Sequence, residues 1–458
     1  MPVNDFSHAK TGNFSIQPPH LYNPYRDDPL IDKTLQRLLP PQEYERTSKD
    51  LDRFAGRILS EITNLGRQCE LKKPELITQD AWGRRVDELR VCDEWYKLKK
   101  IMAEEGLVAI GYDESRDPVH RRIHQTVKLL LYSPSSGLTS CPLAMTDGAV
   151  RTFRALGIHK TNPEIAKAYE RLISTDGERA WTSGQWMTEK RGGSDVSGAC
   201  DTYAVHEEGD TYRLYGYKWF SSAIDADIAL TLARIADKTG NSNEPLSLFF
   251  LHVRDEVSGD LNGIQMIRLK DKLGTRQLPT AELLLDGVKA TLIGEPGRGV
   301  ASISNMLNVT RLHNSAGSVS AMRRILNLAR DYATRREAFG RKLVEWPLHI
   351  RTMAALEVDV RACTLFLLDV ARLIGLSESG RSTEEEADLI RLLTPVIKAY
   401  TAKICMPYVS EALECFGGMG YMEDSGIASA LRDAQVMPIW EGTTNVLSMD
   451  VIRVMASK

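Results

Sequence analysis

The chain has 458 residues, 43% hydrophobic and 26% charged, and 58 Lys+Arg against 61 Asp+Glu leave a formal charge of −3. At roughly 150 residues per domain this length suits about three domains, enough to bury a core without disulfide or metal staples. The charge balance excludes the global electrostatic footprint of a nucleic-acid or anionic-membrane binder. Seven scattered cysteines with no C-x-x-C spacing argue against a zinc site or disulfide framework and fit a reducing compartment.

The polar segment Met1–Asp28 lacks the apolar core of a signal peptide and the character of a transit peptide. From Ser48, residues Leu51, Phe54, Ile58, Ile62 and Leu65 recur at helical spacing. Helical texture continues through Glu94–Ile101, His120–Leu131 and Pro163–Ile173. Between about Cys200 and Val288 short runs rich in Tyr, Ile, Leu and Phe take over. They are Thr211–Trp219, Ile228–Ala233, Leu246–Val253, Ile264–Leu269 and Ala281–Leu285, separated by turn-formers at Asp237–Asn243 and Ser258–Gly263. This pattern predicts antiparallel strands. After Gly299 long helices return. Pro347 suits the first turn of one, and Ser382-x-x-Glu385 suits a capping box for another that passes Pro395, a predicted kink, to about Phe416. Ser377–Glu386 reads as a solvated connection. The stretch Cys363–Leu376 is broken by Asp369 and Arg372 and does not span a bilayer. The chain ends Ala456-Ser457-Lys458, not the peroxisomal Ser-Lys-Leu, so a soluble protein with a cytoplasmic location and no membrane partner is expected. The order of textures predicts an α+β multidomain chain with units at 1–183, 184–290 and 291–458.

Four segments could carry chemistry. In Met187-Thr188-Glu189-Lys190-Arg191-Gly192-Gly193-Ser194-Asp195, paired glycines and hydroxyls suit phosphate oxygens, although such a run is also an ordinary surface turn. It matches neither a P-loop nor the G-x-G-x-x-G spacing. In Lys218-Trp219-Phe220-Ser221, an indole at a strand end could cover a flat aromatic cofactor or simply anchor a sheet. Between Arg311 and Glu345, eight basic residues face three acidic ones, either as a solvated helix face or as a phosphate-binding one. Finally, Glu441, between Trp440 and Gly442, would be partly desolvated and raised toward neutral pKa, as a general base requires. A capping or salt-bridged acid is the plainer alternative.

The order and spacing of these motifs, with Arg336-x-x-Phe339-Gly340, Phe416-Gly417-Gly418-Met419-Gly420-Tyr421 and Trp440-Glu441-Gly442-Thr443, resemble the acyl-CoA dehydrogenase flavoprotein family from about Leu38 to the C-terminus. Met-Thr-Glu-Lys at 187–190, Lys270-Asp271-Lys272-Leu273-Gly274, Pro438-Ile439-Trp440-Glu441-Gly442 and the long segment before Pro74-Glu75-Leu76 are most similar to its alkylation-response (AidB-type) branch. The resemblance implies a helical N-terminal domain, a β-barrel middle domain and a C-terminal four-helix bundle, with FAD between barrel and bundle.

By the same resemblance, Met187 and Thr188 contact the flavin ring, and Gly193 and Ser194 bind the pyrophosphate. Trp219 packs on the ring face beside Phe220, with Ser221 near N5. Trp440, Thr443 and Asn445 close the pocket. Arg336, Phe339 and the Glu414–Gly418 turn reach the FAD of a neighbouring subunit, which implies a homotetramer of paired dimers. Glu441 takes the α-proton of an acyl thioester while the β-hydride moves to flavin N5. Its backbone N–H and a ribityl hydroxyl stabilise the developing enolate. Arg311 lies near the CoA adenosine phosphate. The implied function is oxidoreductase chemistry in fatty acid metabolism, compatible with a protein electron-transfer partner.

Departures keep alternatives open. Asn308 replaces an Asp near the CoA adenine, and Glu414 replaces a Gln, as in the alkylation-response branch. That branch implies firm FAD binding with feeble acyl-CoA turnover, so an FAD-containing acyl- or fatty-acid-binding, stress-protective protein is the alternative. A third is action on a non-CoA substrate, such as a carrier-bound acyl group or a nitroalkane. The branch's further basic domain, linked to DNA, has no counterpart before Lys458, and DNA binding is not expected.

Overall fold

The structure, a computed structural model, describes residues 17–196, 198–237, 240, 242 and 244–456. Most of the 1–28 segment, part of the 237–243 turn and the last two residues lie outside the described residues.

The N-terminal domain is built from α1 (Pro29–Leu38), α2 (Pro41–Arg57), α3 (Thr63–Leu71), α4 (Asp93–Glu104), α5 (Pro118–Tyr132), α6 (Ser140–Leu156) and α7 (Pro163–Leu172). Prolines at the first helical position and side-chain caps from Asp28, Asp117 and Asn162 start three of them. The apolar series Leu51, Phe54, Ile58 and Ile62 is wholly buried. It crosses a π-helical turn at Ile58–Ile62, where the Thr63 hydroxyl donates to the Ile58 carbonyl at 2.8 Å. Helix α1, which precedes the series read from Ser48, and two further elements escape the sequence patterns. The hairpin β1 (Glu75–Gln79) and β2 (Arg85–Arg90) is mostly exposed, so no apolar alternation marks it. Helix α6 is buried around nearly its whole girth and includes small and polar residues, so it shows no clean stripe. A Cβ on its Gly148 would meet Met306 of the C-terminal domain at 2.5 Å, so glycine permits the close approach of that domain's first helix.

The middle domain holds β3 (Ser183–Trp186), β4 (Tyr203–Glu208), β5 (Thr211–Ser222), β6 (Ile228–Ala236), β7 (Leu246–His252), β8 (Ile264–Leu269) and β9 (Thr280–Ile293). Strands β6, β4, β5, β9 and β7 pair in succession and β7 returns to β6, closing a barrel, with β3 added to β6 and β8 to β9. The antiparallel expectation needs correction at one edge, because β3 and β4 both pair with β6 in parallel. A long loop, 187–202, separates β3 from β4 and lets the chain re-enter in the same direction.

The C-terminal domain contains α8 (Gly299–Ala333), a short hairpin β10 (Glu337–Ala338) and β11 (Arg341–Lys342), α9 (Pro347–Glu378), α10 (Glu384–Glu414), α11 (Ser429–Ala434) and α12 (Thr444–Ala456). Helices α8, α9 and α10 pack on one another, with α12 against α10. Pro347 opens α9 as expected. The capping box of α10 is Thr383 with Glu386, one residue beyond the predicted pair, since Ser-Thr followed by a triple Glu allows both registers. The 377–386 connection is also shorter than predicted. Helix α9 extends to Glu378, whose carboxylate accepts two hydrogen bonds from buried Arg122, each at 2.8 Å. Among the described residues no helix is long and apolar enough to cross a membrane.

Candidate active site

The first two motifs, thirty residues apart in sequence, are zipped together. Lys218 and Glu189 face each other in an antiparallel bridge, and the Trp219 N–H donates to the Thr188 carbonyl at 2.8 Å. The Lys218 side chain is 0% exposed and donates to Glu189 at 2.7 Å. Glu189 also accepts from the Thr202 hydroxyl at 2.5 Å and the Asp201 N–H at 2.6 Å. Burial works against its ionisation, but Lys218 and these donors win and hold the carboxyl below its usual range. This pair thus sets Met187 and Thr188, both half-buried, beside Trp219. In the sequence both charges stand only within their motifs, and their opposite signs at matching places in the two motifs are the one signal of the pairing.

A bulge then re-aims the aromatic pair. The β5–β9 ladder pairs Lys218 with Leu283 and resumes at Ser221 with Ala281, so Trp219 and Phe220 oppose the single Glu282. Trp219 is half-buried and Phe220 is 50% exposed. Lys270, tied to Glu282 at 2.7 Å, sets its ammonium 3.0 Å from the Trp219 ring centroid, a cation–π contact that fixes one indole face. The rest of the Lys270–Gly274 motif runs under the terminal segment. A Cβ on Gly274 would meet the Arg432 carbonyl at 2.4 Å, and the Thr275 N–H donates to Asp433 at 2.5 Å.

Glu441 sits in a reversing turn between α11 and α12, at φ +57, followed by Gly442 at φ +100. The Thr310 hydroxyl of α8 donates to its carboxylate at 2.5 Å. Burial raises the carboxyl's pKa, opposed by Thr310, Arg311, Lys398 and His313. Lys398 of α10 donates to the carbonyls on either side, Trp440 and Gly442, each at 2.6 Å. Burial pushes its ammonium down to about 8. Cys141, at the start of α6, is pushed up to about 12 by burial; Lys272 opposes that rise, while Glu441 and Asp225 add to it. Thr310 of α8 and Lys398 of α10 therefore meet at the Glu441 turn. Thr310 and Lys398 were not foreseen. Lys398 stands among Ile397, Thr401 and Ala402, all buried, while the nearby Lys403 is exposed, a difference that the sequence does not mark.

The other expected residues separate into groups. Gly193 and Ser194 are exposed on the loop after β3, and nothing stands within 4 Å of a Cβ built on Gly193. Thr443 precedes α12 and its carbonyl accepts the Leu447 N–H, while Asn445 is exposed in the first turn. Arg336, Phe339, Glu414 and Gly418 are all exposed and remote in sequence from Glu441, and Phe339 is 94% exposed at φ +53. Arg311, with its side chain 13% exposed, is paired with Asp450 of α12 at 2.8 Å. The basic run is divided. Arg323 and Arg330 pair with Asp28 and Asp27, whereas Arg336 and Arg341 face outward.

Comparison with known proteins accounts for these domains in turn. Residues 17–177 match the Adaptive response protein AidB N-terminal domain, 184–288 the Acyl-CoA dehydrogenase middle domain, and 297–456 the Acyl-CoA dehydrogenase C-terminal domain. Acyl-CoA dehydrogenase family member 11 of Caenorhabditis elegans is 62% identical over 456 residues, 99% of this chain and 74% of that protein. Putative acyl-CoA dehydrogenase AidB of Escherichia coli (strain K12) is 33% identical over 404 residues, 86% of this chain and 72% of that protein. The crystal structure of Caenorhabditis elegans ACDH-11 in complex with C11-CoA superposes with a TM-score of 0.96 at 61% identity, covering 100% of this chain and 78% of that one. The resemblance carried by the motifs therefore holds, and the chain belongs to the acyl-CoA dehydrogenase family, an oxidoreductase family acting on CH–CH groups, with an AidB-type N-terminal domain.

Proposed function

We propose that the chain is an FAD-dependent dehydrogenase of an acyl-CoA or related acyl thioester, with Glu441 as the proton acceptor. The observation that carries this reading is the Glu441 turn: a carboxyl raised by burial, tied to α8 and flanked by carbonyls tied to α10. The residues present suit FAD. Ser221 Oγ and Trp440 Nε1 are buried with no hydrogen-bond partner among the described residues, and the backbone at Gly193 and Gly418 is open to close approach. Met187, Thr188, Trp219, Phe220, Ser221 and Trp440 would hold its ring, and Gly193, Ser194, Thr443 and Asn445 its phosphates. When bound, FAD supplies the two-electron acceptor for a β-hydride.

The protein's part is acid–base and positional. A thioester carbonyl acidifies its α-carbon when hydrogen bonds stabilise the enolate, and the Glu441 N–H is the donor this chain offers. The Glu441 carboxylate takes the α-proton as the α,β double bond forms and the β C–H pair departs as hydride. Burial keeps the carboxyl's proton affinity high, which suits it to a carbon acid. The acyl-CoA bound in the ACDH-11 structure supports a thioester ligand here.

The test is Glu441→Gln in the FAD-loaded protein, mixed without oxygen with acyl-CoAs of graded length. FAD content should persist while substrate-induced loss of the oxidised flavin spectrum disappears; unchanged bleaching overturns the reading. The AidB-type N-terminal match favours a second reading, an FAD-containing acyl-binding protein with little turnover. Saturable acyl-CoA binding by the unsubstituted protein with no spectral loss would select it.

A further inference from the structure

Lys398 belongs to no motif, yet it makes the most demanding contact near Glu441. Its side chain is buried in α10, three residues after Pro395, and an ammonium there is costly unless its N–H groups are satisfied. It is satisfied by the two carbonyls that bracket Glu441, at 2.6 Å each. These two carbonyls converge on one ammonium across a turn in which Glu441 and Gly442 both hold positive φ. An L-residue enters that region only under constraint, and Lys398 supplies it.

The orientation has a chemical result. In a trans peptide the C=O and the following N–H point in opposite directions. Aiming the Trp440 carbonyl at Lys398 therefore turns the Glu441 N–H away from α10. Independently, Thr310 of α8 holds the carboxylate. One residue thus has its amide oriented from α10 and its carboxylate oriented from α8.

We propose that Lys398 is a positioning residue that locks the Glu441 turn so that its amide N–H polarises the thioester carbonyl while its carboxylate faces the α-carbon. This rests on Glu441 being the proton acceptor and deepens that reading by naming what holds it. Lys398 itself touches neither reacting carbon.

The experiment uses the FAD-loaded protein with a 3-thia acyl-CoA, whose sulfur replaces the β-methylene and blocks hydride loss. Two signals are read: the infrared stretch of its ¹³C-labelled thioester carbonyl, and exchange of its α-protons into deuterated water. With the unsubstituted protein the carbonyl stretch falls on binding and exchange is fast. In Lys398→Met, which keeps the chain but removes the donors, the carbonyl shift should vanish and exchange should slow on the order of a hundredfold, the loss typical of one misplaced oxyanion donor. Lys398→Gln, which keeps two N–H donors on a shorter stem, should recover part of both and stands in if the Met variant does not fold. Glu441→Gln should keep the carbonyl shift and lose only exchange. A full carbonyl shift in folded Lys398→Met, or in Lys398→Gln where the Met variant does not fold, overturns the positioning role, whether or not exchange slows. Exchange unaffected in Glu441→Gln instead removes the proton acceptor, which separates the two failures.

Discussion

A carboxylate that accepts a proton from carbon works only while ionised, and burial around Glu441 opposes ionisation. Thr310 acts the other way, because a hydroxyl donating to the charged form favours that form. Thr310→Val keeps the shape and removes the donor, so the Glu441 pKa should rise further. Since the base is lost as pH falls through that pKa, the acid limb of kcat/KM should move to higher pH. The high-pH plateau should stay within about tenfold of the parent, since only orientation is loosened. A pH–rate profile of the FAD-loaded variant with an artificial electron acceptor checks this. An acid limb that stays in place or moves to lower pH would mean that Thr310 does not tune the group responsible.

Elements cooperate through the Glu189–Lys218 pair, which joins the loop after β3 to the end of β5. Removing one partner leaves the other charge buried alone. Lys218→Met should therefore cost about 3–5 kcal/mol, while Glu189→Gln combined with Lys218→Met should recover part of that loss. Thermal unfolding of the three proteins measures it, and a Lys218→Met protein as stable as the parent would deny the zip. This pair also shows why the site was only partly legible. Trp219, Ser221 and Glu441 could be singled out because their residue types and local spacing suggest chemistry. The register that sets Thr188 beside Trp219, and the bulge that frees Trp219 and Phe220 from β9, depend on pairing across the barrel. Strand β8 matches its sequence run Ile264–Leu269 to the residue and β7 matches to within one, whereas Ala281–Leu285 marks under half of β9, whose later part carries Asp286, Gly287 and Lys289 among its apolar residues. Strands β3 and β4 have no apolar run to mark them: β3 is set by its parallel pairing with β6, and β4 by an antiparallel ladder with β5 beside its parallel pairing with β6. Lys398 and Thr310 lie on long buried helices, and nothing local marks which of their polar residues meet a turn far along the chain.

For the whole molecule, the outward-facing residues of the C-terminal domain carry the argument. Phe339 is 94% exposed at the tip of the β10–β11 hairpin, while Leu348 and Val358 on α9 are 75% and 65% exposed. Isolated exposed apolar residues are ordinary, but an aromatic held at positive φ on a hairpin tip beside an apolar helix face suits an intersubunit contact. Arg336, Glu414 and Gly418 are exposed in the same domain. We accordingly expect the FAD-loaded chain to sediment as a tetramer. Burying one phenylalanine contributes about 2 kcal/mol, and the effect multiplies across symmetric contacts. Phe339→Asp should therefore shift the tetramer toward dimers or monomers and release FAD more readily, while each subunit's fold is left nearly unchanged because the side chain touches so little of it. Analytical ultracentrifugation with flavin absorbance reads mass and cofactor together. A parent protein that stays monomeric with its flavin bound would show that Arg336 and Phe339 serve no neighbouring site.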